Sequence, residues 1–191
     1  MNRRKAIRNI ALFTGAGAAA AGGFGYFKFF SRPNLALLEN EKDLISALAD
    51  TIIPDTDTPG AKACGTGDFI TLMLKDCTPR NAQNRFLDGL LDVKAYADDK
   101  YGKPFEACSM AERGAIVSHF EKRDRPYPSI AGKISKRLIG DPFFVTLKRY
   151  TILGYCTSQG GATKAMAYDY IPGSYQGCIP LQPGQKCWST S

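Results

Sequence analysis

The sequence predicts a mainly α-helical single domain ending in an irregular tail rich in Gly, Pro, Tyr and Cys, on three observations. Apolar residues recur at three- and four-residue spacing in successive stretches, as one buried helix face requires. The β-branched runs are short, with no hairpin signal and no Gly-rich turn from a strand into a helix. After Tyr155 the periodicity stops and turn formers, tyrosines and cysteines take over.

In the first stretch Leu37, Leu38, Leu44, Ile45, Leu48 and Ile52 share a face, with Glu39, Glu41, Lys42 and Asp43 elsewhere. Pro54 ends this helix near Ile53, because the residue before a proline is pushed out of helical geometry. Asp55, Thr56, Asp57, Thr58, Pro59 and Gly60 follow as a loop of dense turn chemistry. Its aspartates lack the full calcium-loop spacing and the distal glutamate. A second helix is expected from Asp68 to Asp76, burying Phe69, Ile70, Met73 and Leu74. A third, from Asn81 to Tyr101, turns Phe86, Leu87, Leu90, Leu91 and Val93 inward, with Tyr96 near its end. Ser109 and Glu112 have capping-box spacing and open a helix running to about Glu121. Two prolines and several charges make the stretch from Lys122 to Pro128 an exposed connector. Pro142 suits the first turn of a last helix, whose Phe143, Phe144, Leu147, Tyr150 and Thr151 face the core.

The amino terminus carries a different message. Arg3-Arg4 precedes an uncharged stretch from Ile10 to Phe27, diluted by five glycines and several alanines. Paired arginines before weakly apolar sequence have the layout of a twin-arginine export signal. Residues 1–30 are therefore read as that signal or an N-terminal anchor, and residues 31–191 as the domain. A cytosolic protein with a basic N-terminal arm is the alternative. Ala18, Ala19 and Ala20 offer a small-residue cleavage site. Without residues 1–20, about 170 residues remain, enough for one core.

The net charge of +7 includes Arg3, Arg4, Lys5 and Arg8. What remains is too small and too scattered to argue for nucleic acid. Six cysteines in an exported chain suggest disulfides, with fifteen complete pairings possible. No Cys-x-x-Cys occurs, so neither covalent haem attachment nor a dithiol or zinc knuckle is indicated. A tail with so many aromatics needs its own helices or another chain to lie against, and at least one disulfide is expected to order it.

No catalytic constellation emerges. His119 is the single histidine, and adjacent Ser118 points about 100° away on a helix. Gly65-Thr66-Gly67 is too short for a dinucleotide fingerprint. Asp98-Asp99 reads as a solvated helix end.

The stretch from Leu48 to Ala61, Leu-Ala-Asp-Thr-Ile-Ile-Pro-Asp-Thr-Asp-Thr-Pro-Gly-Ala, resembles the signature of gluconate 2-dehydrogenase subunit 3. The likeness continues at Phe69-Ile70 and Asp76-Cys77, then at Leu147-Lys148, Gly154-Tyr155 and Thr157-Ser158. It ends with Ile171-Pro172-Gly173 and Gly177-Cys178-Ile179-Pro180. The resemblance implies a non-catalytic small subunit, with no cofactor of its own. Its companion would be a large flavoprotein of the glucose–methanol–choline type, binding FAD and oxidising a sugar, sugar acid or other alcohol. A cytochrome c subunit often accepts the electrons in such complexes. The large subunit commonly lacks an export signal and travels folded with the small one, through the twin-arginine translocase to the periplasmic face of the inner membrane. Cys77 and Cys178 lie in the best-matching segments, which suggests that they pair. The expected partner surface comprises Pro54, Asp55, Thr56, Asp57, Thr58, Pro59 and Gly60, with Tyr170, Pro172, Gly173 and Tyr175 of the tail. The bland alternative is a loop that only joins two helices and a tail that covers its own core. The rival functions are an independent enzyme and a stand-alone periplasmic binding or structural protein.

Overall fold

The computed structural model describes residues 31–125, 140–171, 173, 177, 178, 180, 181 and 183–189. Arg3, Arg4, Pro172 and Tyr175 lie outside them. Six α-helices are described, α1 (Ala36–Asn40), α2 (Lys42–Ile52), α3 (Thr66–Asp76), α4 (Arg80–Tyr101), α5 (Met110–Arg123) and α6 (Phe143–Thr157). A 3-10 turn, Phe105–Ala107, precedes α5, and a π turn, Gly161–Ala165, follows α6. The mainly helical class predicted above is therefore observed. Among the described residues, no helix is long and apolar enough to cross a membrane.

The helix expected up to Ile53 is broken at Glu41, whose ψ of 22° departs from helical geometry. The interruption is slight, because Glu41 still donates to Leu37 O and accepts from Ile45 N. Leu38, Leu44, Ile45 and Leu48 are buried on either side of it. The helix α3 starts two residues before the expected Asp68, and Pro142 caps α6 from outside its first turn. Leu91 is a correction: it is 47% exposed, while Phe86, Leu87, Leu90 and Val93 are buried as expected. Five apolar residues within eight positions span a wider arc than the neighbouring helices cover.

Helices α3 and α6 run antiparallel. Gly154 of α6 faces Thr66 and Phe69 at the start of α3, where an added Cβ would lie 2.6 Å from the Phe69 ring. Beyond the other end of α3, Thr78 Oγ1 and Tyr150 Oη are hydrogen-bonded at 2.9 Å. Helix α4 crosses α6 where Gly89 meets Phe143, and Phe143 packs with Phe86 and Phe120 at ring-centroid distances of 5.0 and 6.1 Å. These rings join α4, α5 and α6. Asp124, at the end of α5, accepts from Phe144 N and satisfies one of the free amides that open α6. Arg123 beside it pairs with Asp92 of α4.

Gln83 does the same service at the end of α3. It is buried, and its Nε2 donates to Leu74 O at 2.7 Å and Lys75 O at 3.2 Å. Gln83→Ala is expected to cost about 1–3 kcal/mol, since it leaves carbonyls desolvated without a donor. Chemical denaturation should show this as a lower midpoint at unchanged slope.

The capping box read from Ser109 and Glu112 is present. Glu112 accepts from Ser109 N at 2.7 Å and from Ser109 Oγ at 2.9 Å, while Ser109 Oγ accepts from Glu112 N. The ammonium of Lys103 lies 2.8 Å from the same carboxylate. Lys103 first, and then the Ser109 donors, hold the Glu112 carboxyl down at about 2, against an ordinary 4.5. Its stabilising effect is complete above the ordinary value and is lost as pH falls through the folded-state value. Between about pH 5 and about pH 2.5, Glu112→Gln should therefore lose less thermal stability than the unaltered protein. Parallel slopes over that window would count against the box as an electrostatic contributor.

Candidate partner interface

Helix α2 ends at Ile52 and the chain reverses through residues 54–60 within hydrogen-bonding reach of its own ends. Ala61 N donates to Ile53 O at 2.9 Å and closes the loop. Inside it Gly60 N donates to Asp55 Oδ1, Thr56 N donates to Thr58 O, and the Thr56 and Thr58 hydroxyls lie 3.4 Å apart. An Asp carboxylate binding a backbone amide of its own turn is the reason such residues collect here. Gly60 is required by space: a Cβ there would lie 2.6 Å from Asp55 N and 2.9 Å from Pro54 C, both backbone atoms that cannot step aside. Asp55, Thr56 and Asp57 are exposed; Pro54, Thr58 and Pro59 are half-buried, and Gly60 is buried.

A contact invisible in the sequence ties this turn to the end of α6. Tyr155, itself buried, donates its hydroxyl to Pro59 O at 2.9 Å, across 96 positions of chain. Just beyond, Gly160 presses on the same region, where an added Cβ would meet Cys64 Sγ at 2.8 Å and Pro59 Cγ at 3.6 Å. The turn and the origin of the tail therefore occupy the same end of the bundle. No periodicity signals this: Tyr155 lies outside the core face read for the last helix, and nothing in the local sequence singles out Gly160.

The described residues of the tail beyond Met166 do not cover the helical core. Ala167 forms a parallel bridge with Trp188: Ala167 N donates to Cys187 O and Ser189 N donates to Ala167 O, both at 2.9 Å. Lys186 Nζ adds a bond to Lys164 O at 2.7 Å. These contacts close a loop whose described apolar residues stand in solvent: Tyr170 is 84%, Ile171 77% and Leu181 86% exposed. Gly173 is exposed as well. Of the two supports expected for the tail, its own helices or another chain, its own helices do not cover these residues. All six cysteines are free thiols, with Cys77, Cys178 and Cys187 exposed. The Cys77–Cys178 pairing suggested above is not formed in the structure, where backbone pairing holds the root of the tail.

His119 lies on the exposed side of α5, stacked on Tyr96 with ring centroids 4.4 Å apart and an interplanar angle of 14°. Among the described residues, no group of three or more His, Cys, Asp or Glu side chains is placed to hold a metal ion. The charged cleft between α2 and α5 is lined by Asp43, Asp50, Lys62, Glu106 and Arg113. Its Arg113 guanidinium is committed to the backbone carbonyls of Phe105 and Glu106. The Cys108 thiol is buried, and that burial pushes its pKa up, away from the reactive thiolate.

The model of one family, gluconate 2-dehydrogenase subunit 3, matches residues 39–173, from α1 to the first part of the exposed tail. The chain belongs to the gluconate 2-dehydrogenase subunit 3 family. It is accordingly a subunit of a multi-subunit dehydrogenase complex. The matched segment contains the turn, Tyr155, Gly160 and Ala167, and so spans most of what builds the shared end of the bundle. No curated protein and no solved structure matches the chain.

Proposed function

We propose that this member of the subunit 3 family is a non-catalytic small subunit that escorts, exports and stabilises an FAD-dependent dehydrogenase. The partner is a flavoprotein of the glucose–methanol–choline type acting on a sugar, sugar acid or other alcohol, and a cytochrome c subunit takes its electrons. The family match over residues 39–173 carries the subunit role. The arginine pair at positions 3 and 4, ahead of the uncharged stretch from Ile10 to Phe27, supports export. Together they give a division of labour in which the partner holds the flavin and this chain holds the address. The complex then works at the periplasmic side of the inner membrane.

Native purification from envelope fractions tests this. A yellow complex containing a larger chain, with flavin absorbance in proportion to that chain, is the expected result. A colourless protein that purifies intact and alone would instead favour a stand-alone periplasmic binding or structural role.

A further inference from the structure

Helix α6 buries one face in the bundle and turns the other outward, and the outward face is not uniformly polar. Val145, Lys148, Arg149 and Ile152 recur at three- and four-residue spacing and so share it. Val145 is half-buried, Ile152 is 47% exposed, and Phe144 beside them is buried. These three form the apolar floor of a pocket of about 370 Å³ between α6 and the end of α5. Its rim is charged, with Glu121, Asp124 and Arg125 on one side and Lys148 and Arg149 on the other. An apolar floor inside a charged rim is the anatomy of a protein–protein contact built around one anchoring side chain. A site for a small molecule would need polar groups converging on its floor, and this floor has no polar side chain.

The rim also sets the charge of what fits. Both of its carboxylates are already engaged. Glu121 holds Lys148 at 2.7 Å, and Asp124 holds Phe144 N and Arg123 Nε, each at 2.9 Å. Arg149 gives one nitrogen to Asp141 at 3.0 Å and keeps half of its side chain in solvent. Arg125 is exposed, and no described residue bonds its guanidinium. The capacity left over is therefore guanidinium N–H, which matches a carboxylate two bonds at a time.

We infer that this pocket on the outer face of α6 receives an apolar side chain, flanked by carboxylates, of the larger dehydrogenase subunit. The inference rests on the flavoprotein partner proposed above and adds a contact separate from the turn at residues 54–60 and from the tail. A protein partner fits better than a lipid surface. A bilayer takes protruding apolar residues set among basic ones. Here the apolar groups line a hollow, and Glu121, Asp124 and Asp141 offset the nearby cations.

The test co-expresses the full chain with the large subunit, purifies through this chain and measures flavin per chain for Ile152→Asp, Arg125→Glu and Leu72→Asp. Leu72 lies on α3 outside the pocket and is 56% exposed, so it controls for a carboxylate placed on an exposed helix face. Ile152→Asp should lower flavin recovery about tenfold or more, as at the packed centre of other interfaces. Leu72→Asp should stay within about twofold, as for a residue outside the contact. The loss for Arg125→Glu should be largest at low salt and shrink as the screening length falls to about 3 Å at 1 M. Melting temperatures of the three variants without the partner should match that of the unaltered chain, because exposed positions make few contacts. Undiminished recovery by Ile152→Asp, an equal loss in Leu72→Asp, or no loss in Arg125→Glu at low salt would overturn the inference. A melting temperature lowered in Ile152→Asp alone would also overturn it, since the chain itself would then fill the pocket. Binding to phosphatidylserine vesicles that Ile152→Asp abolishes, with flavin recovery intact, would assign the pocket to a lipid surface instead. A change from dimer to monomer on the same terms would assign it to self-association. If the unaltered chain brings down no flavoprotein, the partner reading fails first and the pocket's role with it.

Discussion

Phe143→Ala should remove about 3–5 kcal/mol, enough to leave a domain of ordinary stability mostly unfolded on mild heating. The residue is 2% exposed and sits where three helices meet, against Phe86 of α4 and Phe120 of α5. The loss combines the buried area of the ring with a cavity that three rigid helices cannot collapse into. Gly89→Ala attacks the same contact from the other side. Its new Cβ would lie 2.2 Å from Phe143 Cγ and 2.4 Å from Phe143 Cβ. Because Cβ moves only with the backbone, no rotamer of Phe143 clears the clash and the two helices must separate. The strain, about 1–3 kcal/mol, should outweigh a gain in helix propensity of about 1 kcal/mol. Gly114→Ala is the control: it lies in α5 with nothing within 4 Å of the added Cβ, so it should stabilise by up to about 1 kcal/mol. Denaturant midpoints for the three variants check the argument. A stabilising Gly89→Ala would mean that α4 and α6 do not cross as closely as described.

If the proposed escort role holds, Arg3→Lys combined with Arg4→Lys should leave this chain and the flavoprotein partner proposed for it together in the cytoplasm. The double substitution keeps both positive charges, so lost export would show that the guanidinium pair is read, and not net charge alone. Fractionation with flavin measured in the cytoplasmic and envelope samples separates the outcomes. Export of the flavoprotein in cells that lack this chain would contradict the escort role directly.

The helices were legible because the signals that make them are local. The Ser109 and Glu112 capping box needs residues three apart, and the apolar face of α6 repeats within one or two turns. Ser109 does cap α5, and Phe143, Phe144, Leu147, Tyr150 and Thr151 are all buried. The misreading of Leu91 has a physical origin. Neighbouring apolar residues on a helix point about 100° apart, and which edge of a wide apolar arc is covered depends on where the next helix lies. The break at Glu41 is similarly quiet, because a single displaced residue leaves the apolar spacing on both sides intact.

The candidate interface divides along the same line. Turn residues, prolines and an aromatic tail identified residues 54–60 and the tail as unusual, and the signature within them pointed to the family. Periodicity, capping and turn chemistry are properties of near neighbours, so the sequence alone determined the helical class, the turn and the break in character after Tyr155. Only the tertiary structure decided that Tyr155 reaches back to Pro59, that Gly160 lies against Cys64, and that Ala167 pairs with Trp188 so that Tyr170 and Ile171 face outward. Those contacts join positions about twenty to a hundred residues apart. They depend on how packed helices bring distant surfaces together, which local spacing does not encode.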